Sequence, residues 1–301
     1  MDKPGSPATS GAAPAVLITG ASSGIGQACA IELDRLGFRV YAGVRREQDG
    51  ARLCSLASPR LTPVSLDVTE SQSIAEAAQM ITQTVGEGGL AGLVNNAGIS
   101  VACVLEYIPL EQLRRQFEVN VFGQLAVTQA MLPLLRRARG RVVNISSLSG
   151  LTAAPYIGPY AASKHAFEAI SDSLRLELRG FGIHVAVIQP ADIATPIWEK
   201  SQRFADALRD ELLASVGERI PPEVQDVYRE DIARMRKATT ELAARAIPVS
   251  RVVRAVTHSL TARRPKTRYR VGAKTWGVAH VLRRLPDRIR DRVVLLSLGM
   301  K

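Results

Sequence analysis

The chain has 301 residues, of which 46% are hydrophobic and 22% charged, a composition that fits an ordinary globular protein and excludes a disordered or fibrous one. No apolar run reaches the roughly 18 residues of a membrane-spanning helix, and the three cysteines and four histidines show neither paired nor ligand spacing, so we expect no disulfide framework and no metal site. The net charge of +11 is concentrated in residues 251–301, which contain 14 Lys or Arg and only two Asp.

The first 13 residues are rich in Pro, Gly, Ser and Ala. They contain no basic segment followed by an apolar stretch, which argues against a secretory signal. We therefore expect residues 1–13 to be a disordered leader and the protein to be cytoplasmic.

From residue 14 onward, short apolar and β-branched runs alternate with longer helical patterns. Continuous apolar strands need helices on both faces, so this alternation predicts a doubly wound, parallel α/β sheet in a single domain over residues 14–271. Residues 191–247 interrupt the alternation as a charged helical insertion, and residues 272–301 form a basic C-terminal extension. The seven strand candidates are AVLIT, RVYAGV, LTPVSLD, AGLVNN, RVVNISS, IHVAVIQ and TRYRV.

The first predicted strand runs into a glycine-rich turn, TGASSGIG at residues 19–26, and then into an amphipathic helix. Such a turn lets backbone N–H groups and the positive end of the helix approach a pyrophosphate with no Cβ in the way. The spacing is GxxxGxG and not the common GxGxxG, and a tight turn without a ligand is the alternative. The candidate cofactor residues in the turn are Gly20, Ser22, Ser23, Gly24, Ile25 and Gly26.

The end of the second predicted strand bears on the choice of cofactor. NAD sites usually present a carboxylate to the ribose 2′-hydroxyl about 20 residues past the glycines, whereas here Val44 is followed by Arg45 and Arg46. Because a guanidinium can hold a 2′-phosphate, we expect NADP(H) to be favoured through Arg45, with NAD(H) as the other option. The simpler alternative is a pair of solvated arginines at a strand end.

Two further strand ends carry candidate cofactor contacts. Asp67 and Val68 follow the third strand, where the carboxylate can accept a hydrogen bond from an adenine amine. Asn96, Ala97 and Gly98, in NNAG, follow the fourth strand, where an amide and small residues can border the adenosine ribose. Either group could be turn chemistry alone, but open α/β sheets bind ligands at the carboxyl ends of their strands.

A serine and a tyrosine–lysine pair form the candidate catalytic group. Ser147 ends the fifth predicted strand, Tyr160 follows thirteen residues later, and Lys164 lies one helical turn beyond it. A free phenol has a pKa near 10. A neighbouring ammonium would lower that pKa and make Tyr160 a usable general acid and base. Ser146 is the neighbouring alternative to Ser147.

Together these motifs resemble the short-chain dehydrogenase/reductase family over residues 14–271. The resemblance implies a seven-stranded Rossmann sheet and reversible hydride transfer between NAD(P) and an alcohol or carbonyl, without a metal. It implies that Tyr160 moves the hydroxyl proton and that Ser147 binds the substrate oxygen. Lys164 would also bind the nicotinamide ribose, and Asn120, in EVNVFG, would hold a relay water.

The same resemblance extends to the segment after the sixth strand. It implies that Pro190, Ile193 and Thr195 contact the cofactor. Ala191 stands where the family usually has glycine, and its methyl group leaves less backbone freedom beside the nicotinamide.

Within the family, runs such as GFRVYAGVRR, GRVVNISSLSG and SDSLRLEL are most similar to the branch that acts on retinoids, steroids and other lipophilic alcohols. The insertion fits a cover over a roomy substrate site. Leu105, Tyr156, Trp198 and Phe204 are candidates for an apolar pocket, with core or interface packing as the alternative for each.

The C-terminal extension mixes arginines with VVLLSL. A basic amphipathic helix can lie on an anionic bilayer, so we expect peripheral membrane contact or, alternatively, packing on a partner subunit. The family resemblance implies a homodimer or homotetramer built on long helices, including the one that carries YAASK. A cofactor-sensing regulatory protein is the competing function, because a basic tail can contact nucleic acid phosphates. The complete Ser, Tyr and Lys set favours an enzyme with no nucleic acid partner.

Overall fold

The computed structural model describes residues 13–216 and 222–300. The predicted leader therefore lies outside the described residues except for Ala13, which is exposed and precedes the first strand.

The sheet contains seven strands: β1 (Ala15–Ile18), β2 (Arg39–Val44), β3 (Leu61–Ser65), β4 (Gly92–Asn95), β5 (Arg141–Ile145), β6 (His184–Pro190) and β7 (Arg268–Val271). All of them run parallel, in the order β3-β2-β1-β4-β5-β6-β7. Each predicted apolar run overlaps one strand, so the predicted doubly wound Rossmann fold is confirmed. The strand order reverses between β1 and β4, and such a reversal opens a ligand crevice at the carboxyl ends of the strands.

Helices connect the strands and cover the sheet: α1 (Gly24–Arg35), α2 (Glu47–Cys54), α3 (Ser71–Val85), α4 (Leu110–Phe117), α5 (Gly123–Ala138), α6 (Gly158–Glu177), α7 (Ile197–Val216), α8 (Pro222–Ala244), α9 (Ser250–Thr261), α10 (Ala273–His280) and α11 (Asp287–Ser297). A π-helical turn, Glu118–Phe122, lies between α4 and α5.

The two faces of the sheet bury two hydrophobic clusters. Val16 and Ile18 of β1 belong to the cluster that includes residues of α1 and α9, whereas Leu17 belongs to the cluster with α3 and α5. Successive side chains of a strand point to opposite faces, so helices on both sides leave β1 completely buried. The doubly covered sheet fixes the strand ends on which the site is built.

The insertion consists mainly of α7 and α8, and its two ends lie side by side. Ala194 N donates to Ile247 O at 3.0 Å, and Ile247 N donates to Asp192 O at 2.8 Å. The insertion therefore leaves and rejoins the core at one place, beside the carboxyl end of β6.

The C-terminal extension folds back on its own chain. Lys274 of α10 forms an ion pair with Asp192 at 3.0 Å, and apolar residues of the extension line the same cavity as the strand ends. The sequence predicts that this extension contacts a bilayer or a partner subunit. It does not predict the contact that the extension makes with the body of its own chain. Within residues 13–216 and 222–300, no helix has both the length and the apolar character that crossing a membrane requires.

Candidate active site

The glycine-rich turn between β1 and α1 forms the cofactor end of the site. Gly20 and Gly24 have φ of +63° and +59°, a region that residues with a Cβ rarely adopt. A Cβ on Gly20 would lie 2.7 Å from Ala97 Cα, and one on Gly24 would lie 3.3 Å from Thr195 Cβ. Only glycine leaves the turn open between these neighbours, so the residues present fit a dinucleotide whose pyrophosphate approaches backbone N–H groups.

Asn96 supports the turn. Its Nδ2 donates to Thr19 O at 2.9 Å and to Gly20 O at 3.0 Å. The backbone N–H groups of Asn96 and Ala97 both donate to Thr19 Oγ1 at 2.9 Å. Gly26 is buried, and a Cβ there would run into Gly20 O and Asn96 Nδ2. The structure thus gives the Asn96 side chain a role in holding the turn, whereas the sequence indicated only a border to the ribose.

Arg45 and Asp67 lie next to each other beyond the ends of β2 and β3. Arg45 Nη1 is 3.9 Å from Asp67 Oδ2, and Asp67 Oδ1 accepts hydrogen bonds from the N–H and the hydroxyl of Thr69. An exposed ion pair at this distance is weak. The Arg45 side chain can therefore reorient toward a ligand phosphate. Asp67 Oδ1 is occupied by Thr69, so only Asp67 Oδ2 is available to accept a hydrogen bond from a ligand.

The catalytic candidates meet between the end of β5 and α6. Ser147 Oγ accepts a hydrogen bond from Ser149 N at 3.1 Å and interacts with the Tyr160 hydroxyl. Burial raises the pKa of Tyr160, and the hydrogen bond with Ser147 lowers it. Ser146 Oγ is buried and has no hydrogen-bond partner among the described residues. Both serines line the cavity, and only Ser147 acts on the Tyr160 pKa; the catalytic role of Ser147 stays a prediction.

Lys164 lies behind Tyr160 on the same helix. Its Nζ donates to Ile145 O at 2.8 Å and lies 5.8 Å from the centre of the Tyr160 ring. Burial lowers the pKa of Lys164 to about 8, and the negative charge of Glu168 acts in the opposite direction. Burial makes the net change in the Tyr160 pKa a rise, and the lowering contribution expected from Lys164 stays a prediction.

Asn120 is buried in the π-helical turn, a kind of helical irregularity that is frequent at functional sites. Its Nδ2 donates to Ile99 O at 3.0 Å and to Ser163 Oγ at 3.1 Å, and its Oδ1 accepts from Ile99 N at 2.9 Å. Both amide hydrogens are occupied, so the side chain fastens the loop after β4 to α6 beside Lys164. The relay water stays a prediction.

A cavity of about 1360 Å³ joins the cofactor and catalytic ends. Two of the predicted site residues, Gly26 and Asn120, are buried and do not line it. The predicted residues that line it are Gly20, Ser22, Ser23, Gly24, Ile25, Arg45, Asp67, Val68, Asn96, Ala97, Gly98, Ser147, Tyr160, Lys164, Pro190, Ile193 and Thr195. The structure brings them around one space, and their contacts with a ligand stay predictions.

Ala191 fits its position without strain. It is not among the described residues with positive φ, and its N–H donates to Val271 O at 2.9 Å. Gly272, with φ of +108°, lies opposite, and a Cβ there would be 3.0 Å from Ala191 Cβ. The methyl group is therefore accommodated where the family usually has glycine.

Two of the four predicted apolar lining residues, Tyr156 and Trp198, face the cavity. Leu105 and Phe204 do not line the cavity, and for them the alternative of packing elsewhere applies, with Leu105 lying exposed beside Gly158. Phe204 lies under the Arg115 guanidinium, 5.4 Å from the ring centre.

Three groups that the sequence analysis did not single out also face the cavity. Lys200 Nζ of α7 donates to Ser23 Oγ at 3.2 Å. The Tyr228 hydroxyl of α8 donates to Glu106 Oε2 at 2.6 Å, and its ring packs edge-on against Tyr156. Apolar residues of the C-terminal extension form the third group: Val278, Val281, Leu282, Leu285, Val293, Val294 and Leu298. The apolar spacing in VVLLSL was the sequence feature that could have indicated a buried face.

A doubly wound parallel sheet, a glycine-rich turn at its switch point and a hydrogen-bonded Ser and Tyr backed by a buried Lys define a dinucleotide-dependent oxidoreductase. The chain matches the short chain dehydrogenase family over residues 14–206. It belongs to this family.

Relatives with assigned activities agree with this membership. The chain is 33% identical over 282 residues to an NADPH-dependent 3-dehydrocapnine reductase of Ornithobacterium rhinotracheale, covering 92% of this chain and 94% of the relative. It is 40% identical over 259 residues to retinol dehydrogenase 7 of Mus musculus, covering 85% and 80%. A solved short chain dehydrogenase from Burkholderia cenocepacia in complex with NADP has a TM-score of 0.69 and 25% identity, covering 96% and 99%. The predicted family and oxidoreductase class are confirmed.

Proposed function

We propose that the protein interconverts an alcohol and a carbonyl by NADP(H)-dependent hydride transfer, with Tyr160 as general acid and base. The observation that carries the proposal is the grouping of Ser147 and Tyr160 at the wall of one cavity, with Lys164 buried behind the tyrosine and bonded to Ile145 O.

The catalytic group suits proton transfer to a carbonyl oxygen. In the direction of reduction, a reduced nicotinamide cofactor held by the glycine-rich turn and Lys164 would supply a hydride for the carbonyl carbon. Negative charge develops on the oxygen, and Ser147 stabilises it by donating a hydrogen bond. Tyr160 Oη transfers its proton to that oxygen, which completes the alcohol. The positive Lys164 stabilises the remaining phenolate, and oxidation runs through the same groups in reverse.

The cofactor end supports NADP(H) over NAD(H). Arg45 is exposed at the cavity wall and only weakly tied to Asp67, so its guanidinium can pair with a 2′-phosphate. Thr195 lies over the glycine-rich turn, where its hydroxyl can reach a pyrophosphate. An NADPH-dependent reductase and an NADP-bound structure among the relatives agree with this preference.

The substrate we propose is a lipophilic alcohol or carbonyl of steroid, retinoid or long-chain type. Tyr156, Trp198 and the apolar residues of the C-terminal extension give the cavity a wall suited to an apolar molecule. Relatives named for retinol and for 3-dehydrocapnine support this substrate class.

The test is NADPH oxidation with a panel of ketones and aldehydes that carry steroid, retinoid or long alkyl groups. We expect turnover of at least one of them, and a loss of roughly 10²–10⁴-fold in Tyr160→Phe, which removes only the hydroxyl. Tyr269→Phe, the same change outside the cavity, is the control. A Tyr160→Phe variant as active as the wild type would refute the mechanism. NADPH binding without any turnover would favour the regulatory alternative, which no relative described above supports.

The surface of the C-terminal extension supports peripheral membrane contact. Exposed apolar side chains can insert between lipids, and each arginine near an anionic surface adds about 1 kcal/mol. The exposed apolar side chains that do not line the cavity are Trp276, Ile289 and Leu296. The arginines of the extension without an ion-pair partner in the described part of the chain are Arg283, Arg284, Arg288 and Arg292.

Sedimentation with vesicles tests the membrane contact. We expect the protein to sediment with phosphatidylglycerol vesicles at low salt and to remain in solution with phosphatidylcholine vesicles. A double variant, Arg288→Glu with Arg292→Glu, should weaken the attachment without changing NADPH binding. If the wild type does not sediment with the anionic vesicles, the membrane contact is wrong.

We also propose a homodimer or homotetramer that packs through α5 and α6. Phe122, directly before α5, and Leu176, near the end of α6, are large exposed apolar residues that a partner could cover. Light scattering should give two or four times the mass of one chain, and Leu176→Glu should lower it. A monomer at the concentrations used for the assay would contradict the oligomer.

A further inference from the structure

A buried carboxylate lies one helical turn beyond Lys164. Glu168 of α6 is only 7% exposed, and Gln189 Nε2 of β6 donates to its Oε1 at 3.0 Å. Arg268 Nε of β7 donates to its Oε2 at 3.3 Å. A Cβ on Gly150 would lie 3.1 Å from Glu168 Cγ and 3.2 Å from Lys164 O. The carboxylate is thus enclosed by the catalytic helix, two strands and the loop after β5.

Anchoring of β7 does not by itself require this carboxylate. Asp172, one turn further along α6, already accepts a hydrogen bond from Arg268 Nη2 at 2.7 Å. Moving a carboxylate out of water costs several kcal/mol, and an amide at position 168 would fill the same space and still face Gln189. Arg268 pairs with both carboxylates, at 3.3 Å with Glu168 and at 2.7 Å with Asp172, so the charge of Glu168 remains available to a second positive group.

Lys164, one helical turn before Glu168 on the same helix, is the second positive group. Its side chain is buried, with Nζ bonded to Ile145 O. Among the described residues, the charged or titratable groups around it are Tyr160 and Glu168 on α6 and, beyond Glu168, Arg268 on β7. The end of β5 and the π-helical turn present uncharged groups. Burial lowers the pKa of Lys164, and Glu168 opposes this change.

We propose that Glu168 is a positioning residue that keeps the Lys164 ammonium charged and directed toward the site, while Gln189 and Arg268 fix the carboxylate. This inference rests on the proposed function, in which Lys164 stabilises the phenolate of Tyr160. It extends the active group by one turn of α6 and connects it to β6 and β7.

The test compares Glu168→Gln with Glu177→Gln, the same change at an exposed position of the same helix. Two quantities are followed against pH: kcat/KM for reduction of the best carbonyl substrate, and NADPH affinity without that substrate. Removing the negative charge favours the neutral amine of Lys164, so the decline of both quantities at alkaline pH should move to lower pH. We expect a shift of about one pH unit in Glu168→Gln and none in Glu177→Gln.

Asp172→Asn separates this role from a looser attachment of β7, because it removes the other carboxylate bound to Arg268. The inference is overturned if Asp172→Asn shifts the profiles as much as Glu168→Gln, or if the Glu168→Gln profiles superimpose on those of the wild type. Should Glu168→Gln not fold, Glu168→Asp retracts the charge while keeping it, and we expect a smaller shift in the same direction. Absence of any shift in that variant also overturns the inference. A wild type that binds NADPH but reduces no carbonyl refutes the proposed function. In that case the pH dependence of NADPH affinity, compared between the wild type and Glu168→Gln, still tests the role of Glu168.

Discussion

Ser147 acts on the Tyr160 hydroxyl and opposes the rise in the Tyr160 pKa that burial causes. The two residues are thirteen positions apart in the chain. They meet because Lys164 Nζ, on the helix of the tyrosine, binds Ile145 O at the end of the strand that precedes the serine. The lysine thus holds together the two elements that carry the proton-transfer pair.

Replacing Ser147 by Ala should raise the Tyr160 pKa further, since the contact that lowers it is lost. Alcohol oxidation needs the phenolate as base, so its decline at acidic pH should move to higher pH. Loss of the donor to the substrate oxygen should reduce kcat/KM by about 10²-fold. Ser146→Ala is the control, because Ser146 Oγ has no partner among the described residues. The assignment would have to be reversed if Ser146→Ala lost activity and Ser147→Ala kept it.

Lys164→Met should stabilise the fold at neutral pH while abolishing turnover. The Lys164 pKa is lowered to about 8 in the folded protein, below the roughly 10.4 of an exposed lysine. The unfolded chain therefore binds this proton more tightly, so the group destabilises the fold below pH 8 and this penalty disappears as the pH rises through about 10.4. We expect the free energy of unfolding to rise by about 1–3 kcal/mol at pH 7.

Denaturant unfolding of the wild type and Lys164→Met at neutral and alkaline pH checks this expectation. The difference between the two proteins should shrink as the pH rises. A variant that is less stable than the wild type at pH 7 would show that Lys164 contributes more to packing than its burial costs.

The strands could be predicted because each combines a β-branched apolar run with turn residues at its ends. RVYAGV coincides with β2, Arg39–Val44, and RVVNISS begins at the first residue of β5, Arg141–Ile145. Helices cover both faces of these strands, so the intrinsic preference for β-strand and the need for burial favour the same β-branched apolar residues. Spacing along the chain also made the glycine-rich turn and the catalytic set predictable. Each of them lies within a single strand–loop–helix unit, so the separation in sequence determines which side chains can meet.

The rest of the site depends on contacts between distant segments. The Asn96 amide supports the turn through carbonyl groups of Thr19 and Gly20, and no spacing reveals which backbone atoms an amide reaches. The spacing of Tyr160 and Lys164 predicts that they are neighbours, but the direction of the Tyr160 pKa depends on burial by other segments. Likewise, the apolar pattern of α11 indicates one covered face without identifying the cavity that it covers.

Arg45→Ala should weaken NADPH binding by about tenfold or more and leave NADH binding unchanged, because only NADPH carries the 2′-phosphate. Arg46→Ala is the matched control, since this neighbouring arginine is exposed and does not line the cavity. Fluorescence titration of both cofactors measures the effect. Wild-type protein that binds NAD about tenfold more tightly than NADP would contradict the preference.

Lys200→Met should weaken the binding of NADPH and NADH alike. Lys200 Nζ donates to Ser23 Oγ at 3.2 Å, so its charge lies beside the turn that faces the pyrophosphate common to both cofactors. We expect a loss of about three- to tenfold at low salt, which shrinks as salt screens the exposed charge. Lys237→Met, at an exposed position of α8 away from the cavity, is the control. A loss confined to NADPH would place Lys200 at the 2′-phosphate instead.

Leu298→Ala should raise KM for a lipophilic substrate without changing NADPH affinity. Leu298 is 9% exposed and lines the cavity, whereas Leu296 in the same extension is 63% exposed and does not. Removing part of an apolar wall costs an apolar ligand about 1–2 kcal/mol, which corresponds to a rise in KM of about tenfold. Leu296→Ala should leave KM unchanged when no lipid is present. Both variants replace a leucine by alanine, so equal rises in KM would show that the substitutions act by destabilising the extension. A rise in KM for Leu298→Ala alone would place the substrate against the inner face of the extension.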